Sequence, residues 1–484
     1  MKLSKRATSF VLLAAILTLF SCGEEAPENI PEETTVPSTE TAQPTDGLPD
    51  TDMGGFSFNI LHHNKNWLTW AETQLVAEEE NGDLLNDAMY KRQGYIEDRF
   101  KCKLNVTEVD KVADIMAQSV LSGDNEYDII FQYGINTLGN VEYLADFSNI
   151  PHLKLDADYW NPDATSIFRI GTKQVAVAGN WSLSYLSGSQ GFLFNKDLYE
   201  KLKIEDNVYD LVRDGKWTTD KFFGIAKKAP ADLNGDAVMD ADDQYGVVGS
   251  VKAFYNTLIT GAGIKYVRMD KDNYPYFDVP GNEKTISFFE KLVQTVSSDP
   301  DIYYDDNDGV DGGNVDKFPN GQILFQQAGV FGITNQRYRE MKADFGILPA
   351  PKYDENQDKY YSYTNIGEIA TLPRSYDTSR AENIGILMEA MSFYSQQNIV
   401  DTYKKVILQT KMTRDDDSSE MLQYIFDGIS FDYGIVVWQN DIGNAFMKQV
   451  FKPKSDTVAS TVDTIKTSLE AKIEELKTAV VDMP

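Results

Sequence analysis

The sequence predicts an α/β protein built as two or more lobes, and three observations carry that prediction. At 484 residues the chain is about three times the length of a typical single domain. The first folded stretch reads strand, helix, strand, helix, strand, the order of an α/β layer. The composition, 42% hydrophobic and 25% charged, is that of a globular core with an ordinary surface. Charge then narrows the function classes. Acidic residues number 75 against 45 basic ones, a net charge of −30 that repels phosphate and excludes nucleic-acid binding. Two cysteines exclude a disulfide scaffold. Three histidines leave little room for histidine-ligated zinc or histidine-based acid–base chemistry.

Residues 1–22 read as an export signal. Lys2, Lys5 and Arg6 precede an apolar run, Phe10 to Phe20, of 11 residues. That run is too short for the ~20 residues that span a bilayer as a helix. It stops at Leu19-Phe20-Ser21-Cys22-Gly23, which resembles a bacterial lipobox whose cysteine receives lipid; the alternative is a plain secretory signal cut elsewhere. Two acyl chains on Cys22 would hold the protein stably to a membrane. Residues 23–54 read as a tether. Within 23–50 there are eight acids, five prolines, five threonines and no Lys, Arg or aromatic residue, so the stretch cannot bury a core. Cys102 is then alone, and reads as a structural thiol.

The folded part starts at Phe56–Leu61, an alternating strand. Asp83–Phe100 is an amphipathic helix, with Leu84, Leu85, Ala88, Met89, Tyr95 and Ile96 expected on one side. Lys103–Val106 is a second strand, Ala113–Leu121 a helix, and Tyr127–Phe131 a continuous apolar run typical of a buried parallel strand. In such a layer ligands sit at the carboxyl ends of strands, so the loops after Leu61 and Phe131 matter most. Thr172–Ala178, Gly191–Asn195, Ile323–Phe325 and Phe345–Leu348 read as further strands. Thr219–Lys228 and Glu283–Val296 read as helices. Ser460–Val480 opens with a capping-box pattern at Ser460 and Asp463, and places Val462, Ile465, Leu469, Ile473 and Leu476 on one stripe. No internal repeat is visible.

No HExxH, P-loop, CxxC or GxSxG motif occurs, and Gly261-Ala262-Gly263 lacks the third glycine of a dinucleotide fingerprint. With 75 acids, naming a pair for glycoside hydrolysis carries no information. One loop has a metal-like spacing. Asp232, Asn234, Asp236, Asp240 and Asp243 fall at positions 1, 3, 5, 9 and 12 of a twelve-residue loop, with the Val238 carbonyl at position 7. Ala237 stands where glycine is usual, and Asp243 where glutamate is. A structural calcium is the expectation here, and a solvated acidic turn the alternative; no cofactor for activity is expected. The run Asp305–Asp311 lacks that spacing and reads as an exposed loop.

Several segments, taken in order, resemble one family. They are Tyr127–Phe131 with its polar-aromatic loop; Val175–Ala178 followed by Phe192–Leu198; Gly215–Thr218; Phe318–Phe325; Phe345–Lys352; and Lys411–Leu422. Together they resemble extracellular solute-binding proteins of family 1, the group that contains maltose-binding protein. The resemblance spans roughly residues 55–480. It implies a two-lobed periplasmic-binding-protein-like fold of type II, with lobes joined by crossing strands. The lobes it suggests are 55–178 with 318–366, and 179–317 with 367–484. It further implies a monomeric receptor, with no turnover, that delivers a carbohydrate to the membrane subunits of an ABC permease, held by a lipid anchor on the extracytoplasmic face of the cell membrane.

Sugars offer flat C–H faces and many hydroxyls, so aromatic rings beside amides and carboxylates are the residues to seek. The loop after the first strand offers Asn64 and Trp67 for a cleft, with Trp70 assigned to the core. The loop after Phe131 offers Gln132, Tyr133 and Asn136. By the resemblance, Asn180 and Trp181 follow the first crossing and Phe331 matches an aromatic platform. Glu368 lies near the last crossing and Trp438 near a C-terminal platform. Trp160 and Trp217 read as structural. Two alternatives stay open: a lipid-anchored glycoside hydrolase, and a binding protein for a non-sugar solute.

Overall fold

The computed structural model describes residues 45–64, 71–134, 138–305, 317–334, 336–364, 368–409, 415–451 and 457–484. The leader, Cys22, Trp67, Trp70, Asn136 and most of the acidic run after Asp305 lie outside the described residues.

Along the chain the first elements are β1 (Phe56–His63), α1 (Leu84–Phe100), β2 (Cys102–Val109), α2 (Val112–Ser122), β3 (Ile129–Gln132) and β4 (Leu144–Ala145). There follow β5 (Gln190–Asn195), α3 (Thr219–Ala226), β6 (Tyr245–Gly249), α4 (Glu283–Ser298), β7 (Tyr303–Asp305), β8 (Ile323–Gly329) and β9 (Phe345–Leu348). The last are β10 (Ile369–Pro373), α5 (Ala381–Ser395), α6 (Asp401–Gln409) and α7 (Val458–Val481).

Two five-stranded sheets organise the fold. The first has the order β2-β1-β3-β10-β4, and the second β7-β6-β8-β5-β9. In the first, β1 pairs in parallel with β2 and β3, as the β-α-β-α-β reading requires, and β10 closes it antiparallel to β3. This corrects the expected division of the chain. Residues 318–366 do not return to the first sheet: β8 pairs with β5 and β6, and β9 with β5. Instead β10 joins the first sheet, and α5 packs on α1 with Ile384, Leu387 and Met388 in the same core as Phe58 and Ile129. The physical reason is plain in β10. Its run Ile-Ala-Thr-Leu-Pro is buried at every position and fills the open edge beside β3.

The fold also starts earlier than the composition suggests. Asp46 and Leu48, placed in the tether by sequence, are 5% and 8% exposed. Asp46 pairs with Arg99 and accepts a 2.6 Å hydrogen bond from the Tyr394 hydroxyl. Burial alone would raise the Asp46 pKa; the bonds from Arg99, Tyr394 and the Leu48 amide hold it below the usual carboxylate range. Helix α1 is capped by Asp83, which accepts from the Leu85 and Asn86 amides. Its buried face is Met89, Arg92, Ile96 and Phe100, while Leu84 and Tyr95, expected inside, are 62% and 51% exposed. Helix α7 keeps its predicted apolar stripe but begins earlier, with Thr457 capping the Ser460 amide in place of the Ser460/Asp463 box. Cys102 is buried, which pushes its thiol up to about 11 and keeps it inert.

Candidate functional site

The chain passes between the sheets along two segments that touch each other. Residues 177–189 leave the first half, and Thr364 and Glu368 flank the returning side. Bridges Val177↔Ala370 and Ser189↔Thr364 pin the two together. The carboxyl ends of β1 and β3 arrive at the first end of this seam with His62, His63, Gln132 and Tyr133.

Hydroxyls and one buried ion pair lace the seam. Glu368 is 3% exposed; one oxygen contacts the His62 ring nitrogen Nε2 and the other accepts from Ser182 Oγ at 2.7 Å. The Glu368 amide donates to Ser184 Oγ at 3.2 Å. Burial alone would lower the His62 pKa, but the Glu368 carboxylate outweighs it and the net shift is upward. His63 behaves oppositely. Burial holds its pKa at about 4, so it is neutral, and its Nε2 accepts from the Tyr133 amide at 3.2 Å. The two adjacent imidazoles thus shift in opposite directions, because His62 contacts the Glu368 carboxylate directly while burial dominates at His63. Tyr185 donates to Asn180 Oδ1 at 2.6 Å, and Asn180 donates to Gln396, tying the first crossing to the end of α5.

The predicted ligand residues separate into two groups. Asn64, Tyr133 and Phe331 are partly exposed: Asn64 and Tyr133 follow β1 and β3, and Phe331 follows β8 on the second half. Five others are not available as drawn from sequence. Trp181 is fully buried, edge-on to Phe131 and Trp160 at 5.6 and 5.0 Å. Gln132 is 0% exposed and donates to Thr371 Oγ1 at 2.9 Å. Asn180 and Glu368 are held by the bonds just described. Trp438 is 7% exposed and packs edge-on against Tyr433 at 4.8 Å. Aromatic and amide residues pack inward here because the seam is itself a core. Trp160 and Trp217 are fully buried, in line with the structural reading.

Sequence reasoning overlooked His62, His63, Ser182, Ser184 and Tyr363. Tyr363 sits beside Tyr133, and burial first, then that neighbour, pushes its hydroxyl pKa up. The available signal was the run Ser182-Leu-Ser-Tyr-Leu-Ser-Gly-Ser189, whose hydroxyls are too frequent for an apolar crossing strand.

The loop 232–243 is built from its own side chains. Asp232 accepts from the Gly235 and Ala237 amides at 2.6 and 2.8 Å, and Asp243 from Leu233 and Asp240 at 2.8 and 2.9 Å. Ala237 takes the left-handed conformation, φ 66°, that glycine usually supplies at that position. Among the described residues, no group of three or more His, Cys, Asp or Glu side chains is gathered to hold a metal. No described helix is long and apolar enough to cross a membrane.

No protein-family model matches the chain, and no curated protein matches it by sequence. Solved structures do match in fold. The sugar-binding protein MalE from the phytopathogen Xanthomonas citri aligns with a TM-score of 0.57 at 11% identity, over 88% of this chain and 100% of its own. The cyclic α-maltosyl-1,6-maltose binding protein from Arthrobacter globiformis gives 0.55 at 15% identity, over 87% and 100%. The galacto-N-biose/lacto-N-biose I-binding protein of the ABC transporter from Bifidobacterium longum gives 0.55 at 13%, over 88% and 98%. The chain has the two-lobed α/β fold of these binding proteins.

Proposed function

We propose, from this shared fold, that the chain is the solute-binding receptor of an ABC importer. It captures a carbohydrate, an oligosaccharide, in a cleft between its halves and hands it to the membrane permease subunits without chemistry. Cys22 anchors it as a lipoprotein outside the cytoplasm, and it acts as a monomer. The observation that carries the reading is the pair of crossing segments. They join two α/β halves while Asn64 and Tyr133 from one side, and Phe331 from the other, follow strand ends and stay partly exposed. An aromatic ring covering ~60 Å² of a sugar face is worth about 1.5 kcal/mol. A ligand that touches both halves binds the closed form better, and so shifts the population toward closure.

Calorimetric titration with a panel of malto- and other oligosaccharides, run beside small-angle scattering, tests this. One sugar should bind and reduce the radius of gyration. Tyr133→Ala should weaken it by about 1–3 kcal/mol with an unchanged melting curve. Release of shortened sugar would favour the hydrolase alternative, and no binding by any sugar would favour another solute. For the loop 232–243 we propose a bound calcium acting as a brace. The oxygen spacing and the left-handed Ala237 support it.

A further inference from the structure

Away from the seam, α1 and the helices α5 and α6 enclose a groove of about 610 Å³. Its walls include Leu84 and Tyr95 from α1, Tyr394 from α5 and Asn398 from the turn that follows. Arg92 also lines it, and is only 2% exposed. This guanidinium has only neutral partners. Nη1 donates to Ser395 Oγ at 2.7 Å, Nη2 donates to the Leu75 carbonyl, and Nε finds no acceptor. Among the described residues no carboxylate pairs with it. The acid on the same groove, Asp87, is spent on the Asn81 and Gly82 amides at 2.9 and 3.3 Å. A buried charge without a counter-charge is costly, and arginine does not escape the cost by losing its proton at neutral pH.

Two further observations point to an occupant. The apolar side chains Leu84 and Tyr95 stand exposed on the rim of the same groove. Between α5 and α6 the chain makes a π turn, Gln396–Val400, a rare geometry that recurs at functional sites. It sets Gln397 and Asn398 on the groove wall.

We propose that this groove docks an acidic peptide segment of a partner protein, with a carboxylate over Arg92 and an apolar side chain against Leu84 and Tyr95. A free small carboxylate would leave most of the volume and both rim side chains unused. The partner is defined by this chemistry, and the site is independent of the carbohydrate cleft. Because the chain carries a net charge of −30, an acidic peptide is repelled by the surface at large, so its binding would report the cations of this groove, Arg92 and Lys91.

The test is fluorescence anisotropy of the full-length protein with a labelled decapeptide of alternating Glu and Leu, its Gln-and-Leu counterpart, and sodium acetate as competitor. The Glu peptide should bind, and the Gln peptide should bind at least about tenfold more weakly. Arg92→Met should weaken the Glu peptide by a similar factor. Leu84→Asp, at a position 62% exposed and off the buried face of α1, should do the same and decides the matter if Arg92→Met does not fold. Equal binding of the two peptides would overturn the proposal. So would displacement by acetate at matched carboxylate concentration, unchanged binding by Leu84→Asp, or no binding of the Glu peptide at millimolar concentration.

Discussion

Glu368→Gln would isolate the contribution of the buried charge in the seam. Glutamine keeps the size of the side chain and an acceptor for Ser182 Oγ, which now lies 2.7 Å from the carboxylate. It removes the charge that faces His62 in a place where both side chains are almost wholly buried. Removing one partner of a buried pair costs about 3–5 kcal/mol, and the retained hydrogen bond offsets about 1, so a loss of ~2–4 kcal/mol is expected. The loss must depend on pH in one direction. The His62 pKa in the folded protein lies above the 6.5 of a free imidazole, because Glu368 outweighs the lowering by burial. Its stabilisation is therefore complete below pH 6.5 and disappears as pH rises through the folded value. Urea unfolding of both proteins at pH 6 and pH 9 should show a wide gap at the lower pH that narrows at the higher. His63 has the opposite sign: with a folded pKa of about 4, it costs both proteins stability as pH falls from 6.5 toward 4. A gap that stays constant from pH 6 to pH 9, or widens, would refute the ion-pair account.

Trp181→Ala should destabilise by about 3–5 kcal/mol in denaturant melts, because the ring is wholly buried against Phe131 and Trp160. A binding defect with unaltered stability would instead restore it as a sugar platform. Chelation should lower the melting temperature, and added calcium at a hundredfold excess over Kd should add about 2.7 kcal/mol. Asp236→Ala should abolish both responses, and identical melts with and without calcium would remove the brace. Cys22→Ala should move the protein from membrane pellet to soluble fraction, and retention in the pellet after a high-salt wash would disprove the anchor.

What could be read from the sequence was set by how local the signal was. β1, α1, β2 and β3 were legible because period and turn chemistry lie within each segment. The destination of β10 was not, since a fully buried, mostly apolar five-residue strand fits the open edge of either sheet. The start of the fold at Asp46 was hidden inside an acidic, proline-rich stretch. It depends on Arg99 and Tyr394, which lie far along the chain. In the site, strand-end position was predictable, and Asn64 and Tyr133 follow from it. Burial was not: a Trp or Gln at a strand end can face outward or seal the seam, and Trp181 and Gln132 seal it.

The late arrival of β10 has a consequence for how the molecule comes into being. Gln132 and Thr371, bonded across that strand pair, are 239 residues apart. Each doubling of a closed loop costs about 0.6 kcal/mol of chain entropy, so joining β10 to β3 costs ~2 kcal/mol more than closing a ~30-residue crossover. The strands of the second sheet, from β5 to β9, all lie between those two residues and form an uninterrupted stretch of chain. Contact order therefore favours pairing of the second sheet's strands while the first sheet waits with an open strand edge. Synthesis runs from the amino end, yet the sheet begun first is the sheet whose strands close last.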